Sequence, residues 1–310
     1  MQILHSIAEL AAVPGPVFLA IGVFDGVHLG HQAVIRRAIA DAEKAGGSAV
    51  VVTFDPHPMR VLRPGQGPRL LTSTAHKREL LAALGVSWLL VVPFTPEFAA
   101  TPPAEFVAQL HAACRPLREI CVGHAWSFGK GRAGNLELLK AMGDELGFDE
   151  VGIPAVEVDG EIVSSTLVRA TVEAGDLEKA ERLLGRPFSI LGTVKHGDHL
   201  GRSLGFPTAN LSAHNEQFLA NGVYAVEAFI EGDKGRRRPG VVNIGVRPTV
   251  HSHSDRHLEL HLFDFNDDLY GCNVEVVFRK FLRSEQKFPN LEALKEQIAR
   301  DAAQARSLLG

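Results

Sequence analysis

The sequence predicts an α/β protein of two domains: an amino-terminal domain with a parallel sheet, then a small antiparallel β-barrel closed by a C-terminal helix. Three observations predict it. Apolar, strand-like runs alternate with helix-like segments through the first half, the pattern of a parallel sheet covered on both faces. After Gly175 the strands become short and punctuated, and several alternate in and out as antiparallel barrel strands do. A length of 310 residues favours two domains over one.

Taken in order, residues 17–21 (Val-Phe-Leu-Ala-Ile) form a buried-strand candidate that stops at Gly22, and Asp25-Gly26 then turns the chain toward a helix. Residues 48–54 make the next strand, ending at Asp55-Pro-His-Pro58. Residues 74–84 read as a helix closed by Gly85, 87–92 as a strand stopped by Pro93, 103–113 as a helix, 119–122 as a strand and 135–146 as a helix ended by Gly147. Ligands of such sheets bind beyond the carboxyl ends of the strands, so the loops at 22–31, 55–58 and 123–135 are expected to meet at one edge. Helices over 167–174 and 176–184 follow, and the boundary is expected at 185/186, giving domains 1–185 and 186–310. Strands are then expected at 189–194, 222–230, 240–244, 257–262 and 274–279, with an amphipathic helix over 290–309. No internal repeat or low-complexity linker is present.

Composition narrows the functions. Hydrophobic residues make up 45% and charged residues 22%, enough for packed cores and too apolar for global disorder. A net charge of −4 argues against a nucleic-acid coat or an electrostatic membrane binder, so positive potential for any anionic substrate must be local. No apolar run approaches the ~20 residues that span a bilayer, and the amino terminus lacks a signal-peptide layout. Three cysteines without C-x-x-C spacing indicate neither a disulfide framework nor structural zinc, and point to a reducing cytoplasm. The fourteen histidines include His251, His253 and His257, for which only adventitious metal binding is expected. Arg236-Arg237-Arg238 follows Glu231-Gly-Asp-Lys-Gly235 and reads as a solvated hairpin tip, not a nucleic-acid patch.

Four motifs carry chemistry. His28 and His31 flank Gly30 at a helix start, where imidazoles join backbone N–H groups and the positive end of the helix dipole, a receptor for phosphate oxygens. Ser164-Ser165-Thr166 precedes the helix expected from Leu167 and offers capping hydroxyls, with Arg169 on its first turn able to fork onto phosphate. Gly197, Gly201 and Gly205 form a loop whose amides can fold over phosphates, and Thr208 and Asn210 just after it are hard oxygen donors suited to Mg²⁺. Alternation in 257–262 puts Glu259 and His261 on one face, opposite Leu258, Leu260 and Leu262.

Together these motifs resemble the bacterial bifunctional riboflavin kinase/FMN adenylyltransferase family, and the resemblance runs nearly end to end. It is carried in the first half by Gly22-Val-Phe-Asp-Gly-Val-His-Leu-Gly-His31, Phe54-Asp-Pro-His-Pro58, Gly129-Lys-Gly-Arg132 and Val163-Ser-Ser-Thr-Leu-Val-Arg169. The second half carries it in Gly192 through Asn210, in Gly240-Val-Val-Asn-Ile-Gly-Val-Arg-Pro-Thr249, in Leu258-Glu-Leu-His-Leu262 and in Asp268-Leu-Tyr-Gly271. The resemblance implies a Rossmann-like nucleotidyltransferase domain and a barrel kinase domain. It implies ATP contacts from Gly22, Phe24, Asp25, Gly30, Ser164, Ser165 and Thr166, and in the kinase from Gly197, Gly201, Gly205, Thr208 and Asn210. It implies catalytic roles for His28, His31, Arg169 and Glu259, flavin contacts from His57, Trp126 and Phe128, Mg²⁺ at Thr208 and Asn210, and small-molecule partners only: riboflavin, FMN and ATP as substrates, FMN and FAD as products. No nucleic-acid or membrane partner is implied. One loop departs from the family pattern Gly-x-Asp/Asn-Phe-Arg-Phe-Gly: here Gly123-His-Ala-Trp-Ser-Phe-Gly129 puts Ala125 in place of a polar side chain and Ser127 in place of a cation. Two other readings therefore stay open at this point, a kinase fused to a weakened adenylyltransferase and a non-catalytic flavin or nucleotide store.

Overall fold

The computed structural model describes residues 1–196, 205–233, 235–246 and 256–310. Its described residues divide into two compact units: the first comprises Met1–Pro68 and Lys77–Ser165, the second Arg69–His76 and Thr166–Gly310.

In the first unit six parallel strands lie in the order β1(Gln2–Leu4), β4(Trp88–Pro93), β3(Ser48–Asp55), β2(Val17–Ile21), β5(Leu117–Gly123), β6(Asp149–Ile153). Strand β2 is buried along its whole length because its alternate residues feed two cores. Val17, Leu19 and Ile21 join Val50, Val52 and Phe54 on one face, while Phe18 and Ala20 join Val51 and Leu89 on the other. Helix α1(Leu29–Lys44) seals the second face through Val34, Ile35 and Ala38. The chain leaves β2 for β3 on one side and pairs β2 with β5 on the other, so β2 ends at a topological switch point, where such sheets open a crevice for ligands. Short helices α2(Pro58–Leu62) and α4(Pro96–Ala99), with α3(Thr74–Ala83), α5(Pro103–Ala113) and α6(Leu136–Leu146), fill the connections, and β7(Glu157–Val158) and β8(Glu161–Ile162) make a two-residue-deep hairpin.

In the second unit helices α7(Ser165–Glu173) and α8(Leu177–Leu184) lead into a closed barrel of β9(Ser189–Lys195), β10(Ala209–Ala213), β11(Gly222–Ile230), β12(Arg237–Val246), β13(Arg256–Leu262) and β14(Asn273–Arg283), in the order β10-β13-β12-β11-β14-β9. Leu258, Leu260, Val242, Ile244, Val276 and Phe278 are buried within it. Seven consecutive residues of β11 are buried because its outward side chains Val223 and Ala225 are covered by Ala302 and Ala305 of α9(Leu291–Leu309).

Two expectations are corrected. Helix α7 begins at Ser165, two residues earlier than the sequence suggested, because the Ser165 hydroxyl donates to the Asp25 carbonyl (2.9 Å) and Ser165 sits inside the helix, not ahead of it. Arg169 therefore lies on the second turn of α7. Strand β12 begins at Arg237 and not at 240, so Arg237 and Arg238 follow the exposed hairpin tip at Arg236 and do not both form it: Arg237, still exposed, donates to Glu227 (2.7 Å) and Arg238 to Asp233 (2.9 Å). Gly197, Gly201, His251 and His253 lie outside the described residues. His257 is on β13, and among the described residues no group of three or more His, Cys, Asp or Glu is arranged to hold a metal.

Candidate active sites

In the loop between β2 and α1, three carbonyls are held by side chains. Phe24, Gly26 and Val27 all have positive φ (52°, 83° and 44°), a conformation that costs roughly 1–3 kcal/mol at a bulky or β-branched residue and persists only where neighbours over-determine it. The neighbours here are specific. The Val23 carbonyl accepts from Lys77 Nζ (2.8 Å) and Thr53 Oγ1 (3.0 Å), the Asp25 carbonyl from Ser165 Oγ (2.9 Å), and the Val27 carbonyl from Gln32 Nε2 (2.9 Å). Lys77, Thr53, Gln32 and Asp25 are all buried. Burial holds the Lys77 ammonium below the usual lysine range, against the opposing pull of Asp25 and Asp55.

His28 is the N-cap of α1: its Nδ1 accepts from the His31 backbone N–H (3.3 Å). That bond requires an unprotonated Nδ1, so Nε2 carries the ring's proton while the cap is in place. The His28 and His31 rings stack at 3.5 Å between centroids and 19° between planes, and Phe24 meets His31 edge-on at 5.3 Å. Gly30 suits this packing, since a Cβ there would fall 3.2 Å from the His28 ring and press on it. At Gly22 a Cβ would fall 2.9 Å from the Phe24 ring, so any larger residue would have to displace that ring. The structure thus brings Gly22, Phe24, Asp25, His28, Gly30, His31 and Ser165 together in the first unit. Thr166 and Arg169 belong to the second unit, where Arg169 Nε donates to the Arg69 carbonyl (2.8 Å); Ser164 directly precedes α7.

Beside this loop a cavity of about 460 Å³ opens, lined by Val23 and by an aromatic set that includes Phe54, Phe94, Phe98, Phe106, Trp126 and Phe128. His57, Trp126 and Phe128, singled out in the sequence, all line it. Phe54 packs edge-on against Phe94 (5.7 Å), and Phe98 edge-on against Phe106 (5.7 Å), while Trp126 and Phe128 stack at 4.3 Å and 13°. His57 caps α2 through Nδ1, which accepts from Met59 N–H (3.2 Å), again leaving Nε2 as the protonated nitrogen. At Ser127, where the family pattern has a cation, the hydroxyl accepts from Arg132 Nε (2.7 Å); Arg132 itself has φ 60° and also lines the cavity.

In the second unit a cavity of about 560 Å³ is lined by Thr208, Leu260, Leu262 and the 265–270 segment. Gly205 has φ 85°, and the chain then runs through Pro207, whose carbonyl contacts His261 Nδ1 (2.9 Å). Glu259 and His261 are half-buried while Leu258, Leu260 and Leu262 are buried, as the alternation predicts. Register makes Glu259 the centre of a polar row. Asn210 faces it across β10–β13, Asn243 across β12–β13, and Lys195 faces Asn210 in turn; directly opposed residues share a face. Thr208 is on the cavity lining and Asn210 and Glu259 are not.

Sequence reasoning missed Lys77, Thr53 and Asn243. Lys77 left a signal: it occupies the first place of the stripe Lys77, Leu80, Leu81, Leu84, where a helix buries its apolar face. Asn243 needed the strand register.

A family model described as FAD synthetase matches residues 11–167, and one described as riboflavin kinase matches residues 184–309. The bifunctional riboflavin kinase/FMN adenylyltransferase of Escherichia coli strain K12 is 40% identical over 100% of this chain and 98% of its own length. That of Bacillus subtilis is 38% identical over 93% of this chain and 90% of its own. A crystal structure described as a macrolide-efflux protein from Streptococcus pneumoniae superposes with a TM-score of 0.83 at 29% identity, covering 98% of both chains.

Proposed function

The chain belongs to the bifunctional riboflavin kinase/FMN adenylyltransferase family, and from that premise we propose which residues carry each half of its two-step synthesis of FAD. With ATP it phosphorylates riboflavin to FMN; with a second ATP it adenylates FMN to FAD and releases pyrophosphate.

Adenylation belongs to the first unit. An FMN phosphate oxygen bonds to the α-phosphorus of ATP as the bond to the pyrophosphate oxygen breaks, so no protein nucleophile is required, and catalysis is alignment plus neutralisation of developing charge. With the Val23, Asp25 and Val27 carbonyls held by side chains, the loop turns its amides toward the nucleotide, and His28 Nε2–H and His31 meet the phosphates at the start of α1. The isoalloxazine ring lies in the aromatic cavity against Trp126 and Phe128, and Arg132 supplies the positive charge that Ser127 does not. The observation that carries this reading is Val23: its carbonyl is tied into the base of the nucleotide loop and it also lines the flavin-sized cavity, which sets the two substrates side by side.

Phosphorylation belongs to the second unit. Glu259 takes the proton of the ribityl hydroxyl as it attacks the γ-phosphate, with Asn210 and Asn243 ordering its carboxylate. The Thr208 hydroxyl and Asn210 amide oxygen are the donors fit for Mg²⁺, which supplies charge neutralisation on the ATP phosphates. We place both reactions in the cytoplasm: among the described residues no helix is long and apolar enough to cross a membrane, and the cysteines are free thiols, Cys114 pushed up to about 12 by burial.

Incubating the purified chain with riboflavin, Mg²⁺ and ATP and resolving the products by chromatography tests this. FAD is expected. FMN as the sole product would mean the Ala125 and Ser127 replacements disable the first unit; tight binding without turnover would mean a store.

A further inference from the structure

Lys77 is a buried cation that touches neither substrate in the chemistry above. It sits on α3, 7% exposed, and spends its ammonium on the carbonyl of Val23 (2.8 Å) and, at 3.5 Å, on Thr53 Oγ1. Thr53 donates to the same carbonyl (3.0 Å). Burying an ammonium is costly unless it is paired or hydrogen-bonded, and an apolar side chain at this place in the stripe would pack against Leu81 without that cost. The charge therefore has a use beyond packing. Its two acceptors lie where the nucleotide loop leaves β2 and near the end of β3, with Asp25 and Asp55 close enough to act on it electrostatically. Both acceptors feed the strained turn through Phe24 and Val27.

We propose that Lys77 is a positioning residue for adenylyl transfer, its ammonium drawing the Val23 carbonyl back so that the loop holds the His28–His31 pair in register with the α-phosphate. This rests on the reading that the His28 loop takes ATP. No proton is transferred: Lys77 acts only through Val23. The loss on removing it falls on kcat for FAD formation, because a loop displaced by about 1 Å misaligns the groups that meet the transition state, which can cost about 100-fold in rate. ATP binding, spread over many contacts, changes less.

The test uses the full chain, with circular dichroism melting and the KM for ATP in FAD formation as the control for folding of the first unit, and FMN formation from riboflavin as the control for the second. Lys77→Met is expected to lower kcat for FAD formation about 30- to 100-fold, with the KM for ATP moving less than about 3-fold and FMN formation unchanged. Lys77→Arg, which keeps the charge, is expected to recover part of the loss, and Thr53→Val to lower kcat in the same direction by a smaller factor. A Lys77→Met protein that makes FAD within about 3-fold of the parent rate overturns the proposal. Should Lys77→Met fail to fold, Thr53→Val decides, and FAD formation at the parent rate in that variant also overturns it. If His28→Ala still makes FAD at the parent rate, the ATP reading itself falls, whatever the lysine variants do.

Discussion

At His28 one ring caps α1 through Nδ1, and in the function proposed above its Nε2–H also meets a phosphate, so two substitutions separate the jobs. His28→Ala removes cap and donor together. FAD formation is expected to fall about 100-fold or more, and the first unit to lose about 1 kcal/mol from the cap, while FMN formation persists. His28→Asn restores an acceptor for the His31 N–H and hence the melting temperature, but not FAD formation. Calorimetry beside product chromatography reads both, and a His28→Asn protein with parent activity would show that the imidazole itself does nothing chemical. The same scale marks the limit of what the chain disclosed. His28, Gly30 and His31 are legible because their chemistry lies within four residues. Ser165 was legible from its own motif, but the bonds that bring Lys77 and Ser165 to this loop span 54 and 140 residues, and no local pattern carries such a pairing.

At the scale of elements, strands buried on both faces were legible and strands doing mixed work were not. Strands β2 and β3 read as unbroken apolar runs because each side chain meets a core on one face or the other. Strand β10, Ala-Asn-Leu-Ser-Ala, buries only Leu211 and carries no such run; it forms because β9 and β13 supply its ladder. The start of β12 was hidden by its arginines, which Glu227 and Asp233 neutralise. Helix α9 was legible from amphipathicity; its cap, Asn290, whose side chain accepts from Ala293 N–H (2.8 Å), and its anchor were not. Asp301, nearly buried, accepts from Arg283 Nε (2.9 Å), lies 2.8 Å from Arg283 Nη2 and accepts from Gln297 (2.8 Å). Asp301→Ala is expected to cost about 3 kcal/mol, the low end for breaking such a pair because Arg283 retains some access to water. Thermal melting followed by FMN formation checks it, and an unchanged melting temperature would show that α9 is held by Ala302 and Ala305 alone.

For the whole molecule, acid stability has an identifiable contributor. Burial alone would push the Glu275 carboxyl up, but hydrogen bonds to His76 and Ser189 and the charges of His76 and Arg186 outweigh it and hold it below the ordinary value of 4.5. A carboxyl depressed on folding stabilises the native state above its unfolded value, and that stabilisation disappears as pH falls through the folded value. Glu275→Gln is therefore expected to flatten the decline of melting temperature below about pH 4.5, and an unaltered acid limb would assign that decline to other carboxylates. His76 contributes from a distance along the chain: residues 69–76 group with the second unit, where the Leu70 carbonyl accepts from the amides of Glu216 and Gln217 (both 2.9 Å) and His76 meets Ser189 and Glu275 (both 3.2 Å). A ribosome thus releases this octapeptide nearly a hundred residues before the rest of the body it completes. Any gene fragment cut to express the barrel from residue 166 onward discards it, and must offer a substitute for the missing imidazole and carbonyl.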